Sequence, residues 1–380
     1  NIKIPPLNEI SLTFKQFHPN TICNRLQYCF KKIGNVSLFK RKYGKMLLLE
    51  MINLKPTIKD IAKEAHVSVT TVSRVLSNKN NSNSDKTSKK VRKIAQQLGY
   101  RKNTSAVELV TRTSNVLAVI LTATHTNFSD EIIAGIQDQA YKNGLDVIIS
   151  YAGENNAHRQ FQSIKTIIER SVKGILLLAL ELDEKSRQLL IQSKIPYVFL
   201  SLANDKKMPF ISSNDFQIGY QATKYLIDKG HKKIGLAGLD DKSFMGKQRI
   251  SGYKKALSDN KLKLDSEWIT TGLFTYQDGL NSMKHYGKRP QVTGVVANSD
   301  LVGVGILNQA RKFGVKVPRD LAIISIDGTG LCQIVHPQLT SITQSFYEMG
   351  INGVNFLLNS KEPRRLSKFT SIKIEEREST

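Results

Sequence analysis

Cysteine is scarce in this chain: Cys23, Cys29 and Cys332 are the only three in 380 residues. They form neither an even-numbered set nor a metal-ligand spacing, which argues against a disulfide scaffold and a cysteine-built metal centre and makes a reducing cytosol the expected setting. Long apolar runs are missing as well. The longest in the main body, GILLLAL at residues 174–180, is far too short to span a bilayer and fits a buried strand, so no membrane segment is expected. Catalytic signatures are also absent. No serine stands in a G-x-S-x-G elbow, no G-x-G-x-x-G or phosphate-loop motif occurs, and the seven histidines are scattered. His125 and His158 are placed to face a cleft, yet neither has a nucleophile partner. The sequence therefore gives no support to an enzyme, and no cofactor or metal is expected.

Acidic residues are the other shortage, 32 against 56 Lys+Arg, leaving a net charge of +24. The excess is uneven. Residues 1–54 hold 9 basic and 2 acidic side chains, residues 55–112 hold 13 and 4, and residues 113–380 hold 34 and 26. Per residue the body of the chain is the least basic part. A face as basic as residues 55–112 attracts phosphate through counterion release.

Within that basic stretch, TIKDIAKEAHVSVTTVSRVL reads as two short helices joined by a tight turn. Thr57 is placed to cap the first, in which Ile58, Ile61, Ala62 and Ala65 share a face. After His66, Val67 and Ser68, Ser68 is placed to cap a second helix. There Val72, Val75 and Leu76 point inward while Val69, Thr70, Ser73 and Arg74 point outward, types suited to base edges and phosphates. A third helix is expected over residues 84–98, with Val91, Ile94, Ala95 and Leu98 closing a small core. Such a pair of helices is how a helix-turn-helix enters a major groove. A plain three-helix bundle would share the spacing but has no need of the charge.

VSVTTVSRVL, then a helix ending in LGY, then NxxAxEL, resembles the lactose-repressor and galactose-repressor (LacI/GalR) family of bacterial regulators, and the resemblance runs from about Thr57 to the last residues. It implies that Val69, Thr70 and Arg74 face bases, while Thr57, Ser68, Thr71, Ser73, Ser84, Thr87, Tyr100 and Asn103 hold the phosphate backbone. It further implies a hinge helix over residues 103–109, too short to be stable alone in water. Two copies would pack on the operator through Ala106 and Leu109, each Leu109 wedging the minor groove open. A plain interdomain linker is the other reading of this stretch. There are departures from the family pattern. His66 stands where relatives carry Gly or Asn, and since His tolerates the left-handed region the turn is expected to survive. Lys102 replaces a common proline, and the loop at residues 77–83 is one residue longer than is usual in the family and lacks an apolar anchor just before Ser84.

From Val116 onward apolar strands alternate with helical patterns: VLAVIL, DVIIS, GILLLAL and YVFL, then KIGLAG, GVVAN and LAIISI. Helices are expected around residues 132–142, 161–169, 186–192, 219–228, 249–260, 276–285 and 302–313. Alternation of this kind demands parallel sheets covered by helices. Two successive series predict two similar lobes, with a final helix near residues 346–359 and a last strand near residues 369–374 crossing back. Ligands in such sheets bind at the carboxyl ends of the strands, here between the lobes.

The resemblance implies a relative of periplasmic sugar-binding proteins, in which Phe128, Arg249, Phe274, Asp327 and Gln344 line an effector pocket. Arg249 and Asp327 would serve adjacent hydroxyls and the two phenylalanines would stack on a sugar ring. Leu178 and Ser201 stand where the lactose repressor has polar pocket groups, so a galactoside is disfavoured and other sugars, sugar phosphates or a nucleoside stay open. Asp300 is expected to cap the helix that follows it.

The expectation is thus an α/β chain in four parts. Residues 1–54 form an extra basic segment, either lying upstream of a native start at Met46 or Met51 or serving as a DNA-seeking arm. Residues 55–101 form a three-helix helix-turn-helix domain, residues 102–114 the hinge, and residues 115–380 a two-lobed periplasmic-binding-protein-like effector and dimerisation domain with parallel sheets. The expected partners are double-stranded operator DNA, a small effector and a second copy of the chain, with no membrane. A global catabolite regulator answering to a phosphorylated carrier protein, and a cytosolic solute-binding protein, are the alternatives.

Overall fold

A computed structural model of the chain describes residues 56–76, 85–100, 114–122, 128–153, 156–203, 208–359 and 367–380. The extra basic segment, the loop at 77–83, Ser84 and the expected hinge with Asn103, Ala106 and Leu109 lie outside the described residues. The chain divides into two compact units, residues 1–111 and 112–380.

In the first unit three helices, α1 (Ile58–Ala65), α2 (Val69–Leu76) and α3 (Asp85–Gln97), enclose a small core. Ile61, Ala62, Ala65, Val72, Val75, Val91 and Ala95 are buried there, with Leu76, Ile94, Leu98 and Tyr100 packed against them. The inward positions are those that helical periodicity dictates.

The second unit holds two lobes, each a six-stranded sheet covered by helices. In lobe 1 the chain runs β1 (Val116–Leu121), α4 (Ser129–Lys142), β2 (Asp146–Tyr151), α5 (Ala157–Glu169), β3 (Gly174–Leu178), α6 (Glu184–Gln192), β4 (Tyr197–Leu200) and β5 (Phe210–Ser212). Lobe 2 follows with α7 (Asp215–Asp228), β6 (Ile234–Leu239), α8 (Phe244–Asp259), β7 (Ile269–Thr271), α9 (Tyr276–Tyr286), β8 (Gly294–Ala297), α10 (Asp300–Phe313), β9 (Ala322–Asp327), α11 (Leu331–Ile334) and β10 (Thr340–Gln344). The chain then returns to lobe 1 as α12 (Phe346–Asn359) and β11 (Lys368–Phe369), and ends in lobe 2 as β12 (Ile372–Glu375). The strand orders are β11-β5-β4-β3-β1-β2 and β12-β10-β9-β8-β6-β7, parallel throughout except for β12 against β10.

Alternate residues of a strand face opposite sides of its sheet, and both sides are apolar here. Leu117, Val119 and Leu121 of β1 pack with Ile132, Ile136, Met349 and Leu357 from α4 and α12. Ala118 and Ile120 pack with Ile164, Ile167 and Leu190 from α5 and α6. In lobe 2, Val295 of β8 meets α9 and α10, while Val296 meets α7 and α8.

Three helix pairs approach closely enough to exclude a side chain at their crossings. A Cβ on Gly135 of α4 would lie 2.1 Å from the Tyr347 carbonyl oxygen of α12, and one on Gly219 of α7 would lie 2.2 Å from that of Arg249 on α8. Gly279 of α9 stands in the same relation to Val302 of α10.

The sequence reading needs three corrections. The single strand expected near residues 369–374 is two strands in different sheets, because the chain crosses between the lobes at Thr370 and Ser371. β5, β7 and β10 were not anticipated. Asp300 does not cap α10: Ser299 does so, accepting the Val302 N–H at 3.1 Å. Asp300 is buried instead, and its carboxylate accepts from the Ser325 and Ser341 hydroxyls and from the Thr329 N–H and hydroxyl.

Gly219→Ala is expected to destabilise the chain by roughly 1–3 kcal/mol through overpacking of the α7–α8 crossing. Gly330→Ala, at a site with open space around it, should stay within about 0.5 kcal/mol of the parent. Urea unfolding of the two variants checks the contrast.

Candidate nucleic-acid interface and ligand cleft

The turn between α1 and α2 depends on one residue. His66 adopts φ 53° and ψ 47°, the left-handed conformation anticipated for it, and its N–H closes onto the Ala62 carbonyl. At the start of α1 the Asp60 carboxylate takes both the Thr57 N–H (2.8 Å) and the Thr57 hydroxyl (2.7 Å). Ser68 Oγ accepts the Thr71 N–H at 3.0 Å, fixing the first turn of α2, and lies 2.9 Å from the Thr71 hydroxyl.

With its ends fixed, α2 turns Val72 and Val75 into the core and leaves Thr70, Ser73, Arg74 and Val69 exposed, Val69 at 39%. An apolar side chain held out in water next to hydroxyls and a guanidinium matches the chemistry of a thymine methyl beside phosphates. Thr71 and Thr87 are half-buried, and Tyr100 packs its ring against the small core. On α3, Lys86, Lys89, Lys90, Arg92 and Lys93 are all exposed.

In the second unit a cleft of about 590 Å³ opens between the lobes, at the carboxyl ends of both sheets. Phe128, Arg249, Phe274, Asp327 and Gln344 all line it. Ser201 lies on its wall, whereas Leu178 is buried within β3, and His158, exposed on α5, is not among the residues that line it. The strand ends deliver the wall residues directly: Thr122 after β1, Ala179 after β3, Ser201 after β4, Asp240 after β6 and Asn298 after β8.

The polar side of the wall is tightly organised. Arg249, on α8 and 3% exposed, donates through Nε to Asp215 Oδ1 at 2.9 Å and through Nη1 to the Asn298 carbonyl at 2.8 Å. Its guanidinium lies 5.7 Å from the Phe274 ring centroid, within cation–π range. Burial pushes the Asp215 carboxyl up while Arg249 pulls it back toward ionisation. Asp327 receives the Gln344 side-chain amide at 2.9 Å. Burial drives the Asp327 carboxyl well above the ordinary carboxylate range, and the nearby Asp300 charge pushes the same way. On the apolar side Phe128 stacks on Phe346, ring centroids 5.0 Å apart.

The backbone is strained where the wall is built. Among the described residues, eight other than glycine have positive φ, and four of them line the cleft: Ala179, Ser201, Phe274 and Asp327, the last at 117°. Such conformations persist only where the surroundings over-determine them, and they gather at binding sites.

Several wall residues escaped the sequence reading. Asn298 is fully buried and gives its amide to the Ala237 carbonyl at 2.9 Å, while its Oδ1 has no partner. It sat inside an expected strand, GVVAN, whose end was the available signal. Asp215 stands 34 positions from its partner, and no local pattern marks that pairing. Gln160, Glu181 and Lys242 also line the cleft.

These features agree with what the chain is similar to. Residues 57–103 match the model of the bacterial regulatory proteins of the lacI family, and residues 223–380 match that of a periplasmic binding protein-like domain. The ribose operon repressor of Haemophilus influenzae is 33% identical over 80% of this chain and 91% of its own. A transcription regulator from Lactobacillus plantarum has a solved structure 44% identical to this chain, with a TM-score of 0.64 over 70% of this chain and 99% of that one. A LacI family regulator, CCPA from Weissella paramesenteroides, solved with bound glucose, is 29% identical with a TM-score of 0.63, covering 70% and 97%. A three-helix module at the amino end, two lobes of parallel sheet after it, and relatives that align along most of both chains together place this protein in the LacI family of bacterial transcriptional regulators.

Proposed function

We propose that the chain is a homodimeric repressor of a carbohydrate-utilisation operon, binding a near-palindromic operator under the control of a sugar-like effector held between its lobes. The observation that carries this reading is the convergence of Phe128, Arg249, Phe274, Asp327 and Gln344 on one cleft at the strand ends. Donors, acceptors and aromatic faces stand together there as a polyol requires, and the glucose bound to the Weissella relative supports the same ligand class.

On the DNA side, Val69, Thr70 and Arg74 read base edges from the exposed face of α2. Thr57, Ser68, Thr71, Ser73, Ser84, Thr87, Tyr100 and Asn103 set the module on the phosphates. One such module reads a half-site, so two copies match a palindrome. The hinge, through Ala106 and Leu109, couples the module to the lobes by wedging the minor groove. Effector and operator then share a coupling free energy, equal in both directions.

A thermal-shift screen against neutral sugars, sugar phosphates and nucleosides tests the ligand class, because a tight ligand raises the midpoint by mass action. Against a hit from that screen, Arg249→Ala should abolish the shift while operator affinity stays near the parent's; an unchanged shift removes Arg249 from the site.

Leu109→Ala should weaken specific operator binding roughly tenfold while sparing nonspecific binding, since only the kinked site uses the wedge. Gel-shift titrations on operator and scrambled duplexes read the difference, and equal losses on both would rule out the hinge role.

Asp327→Asn should raise thermal stability near neutral pH, because the folded chain pays to ionise a buried carboxyl whose pKa lies above its unfolded value. That penalty is complete above the folded pKa and vanishes as pH falls to the unfolded value of about 3.9. The variant's advantage should therefore shrink on acidification when the midpoint is followed between neutral and acidic pH.

A further inference from the structure

The two lobes touch across the mouth of the cleft through a charged hydrogen bond. Glu181, just after β3 in lobe 1, accepts the backbone N–H of Phe244, the first residue of α8 in lobe 2, at 3.4 Å. α8 is the helix that carries Arg249.

The Phe244 N–H is available for a physical reason. The first N–H groups of a helix have no partner within it. At this end Ser243 Oγ takes the Gly246 N–H at 3.0 Å and the Ser243 carbonyl takes the Lys247 N–H at 3.1 Å, so the Phe244 N–H is left for an acceptor from outside. The turn that presents it is wound tightly. Ser243 Oγ donates to the Asp240 carbonyl, the Lys242 N–H donates to Asp240 Oδ1, and a Cβ on Gly246 would lie 1.8 Å from the Asp240 carbonyl oxygen. A carboxylate at this end also meets the positive pole of a 16-residue helix.

We propose that Glu181 is a closure residue of the cleft: carried by lobe 1, its carboxylate captures the unpaired first-turn N–H of α8 in lobe 2 and biases the lobes toward their closed arrangement before any ligand enters. Its consequence for regulation rests on the reading of the cleft as the effector site. A ligand that favours the closed form then meets a population already shifted its way, and its apparent affinity depends on that fraction.

The test reads geometry in the ligand-free full-length chain, so its outcome is separable from whether any sugar binds. Nitroxide labels at Gln188→Cys in lobe 1 and Lys247→Cys in lobe 2, with Cys23 and Cys29 changed to serine and Cys332 left buried, report the interlobe distance by double electron–electron resonance. Glu181→Ala is expected to move the distribution to longer distances, raising the open fraction about threefold. Glu181→Gln, which keeps an acceptor oxygen, should restore most of the parent distribution. Phe244→Pro removes the donor from the other side. Proline is tolerated at a first helical position, and Ser243 at φ −68° and ψ 153° suits the residue before it. That variant should open the lobes to a similar extent, and the pair Glu181→Ala with Phe244→Pro should open them no further. A Glu181→Ala distribution that superimposes on the parent's, or shifts from the two variants that add, would overturn the proposal.

Discussion

The cleft between the lobes is organised around one buried ion pair. Asp215 opens α7 just after the chain has crossed from lobe 1, and Arg249 lies in the middle of α8; their contact at 2.9 Å joins the start of lobe 2 to the wall of the cleft. Burying two charges is costly unless geometry and further hydrogen bonds compensate. Here the Asn298 carbonyl takes a second guanidinium N–H, and the Phe274 ring accepts the cation from one side. The backbones of α7 and α8 can bring these side chains together because Gly219 lets the Arg249 carbonyl approach. Packing of the helices and chemistry of the cleft are therefore one constraint.

The same logic governs how the lobes are joined. Three crossings link them, after β5, after β10 and between β11 and β12. They are stitched side by side through small hydroxyls: Ser213 Oγ lies 3.2 Å from Thr370 Oγ1, and Ser345 Oγ donates to the Ser371 carbonyl at 3.0 Å. These few hydrogen bonds are small beside the apolar cores that hold each sheet to its own helices. A ligand in the cleft could shift one lobe against the other only through contacts that differ between the two arrangements.

Much of this was legible in the residues. Hydrophobic periodicity located α1 and α2, and short apolar runs alternating with helical patterns located the long strands of both lobes. The left-handed turn at His66 was expected from the resemblance, in which Gly or Asn stands at that place, and His tolerates the same conformation. The parts that were not legible are those set by distant partners. β5 and β7 are three residues each and owe their pairing to neighbouring strands. The segment carrying β11 and β12 reads as one strand until a lobe boundary divides it. Asp300 looks like a helix cap by position, but the hydroxyl one residue earlier holds that role and frees the carboxylate to bind Ser325, Thr329 and Ser341. The positive φ values of Ala179, Ser201 and Phe274 leave no trace in their residue types.

The central claim is that a metabolite held between the lobes controls how firmly the amino-terminal modules grip duplex DNA. It is tested most directly by fluorescence anisotropy of the full chain on a selected palindromic duplex, at fixed salt, with and without a saturating sugar that stabilises the protein. The account predicts an operator affinity that changes by roughly fivefold or more with the sugar present, on a duplex preferred over scrambled sequence. Identical affinities in the two conditions, or no preference for any duplex, would contradict it.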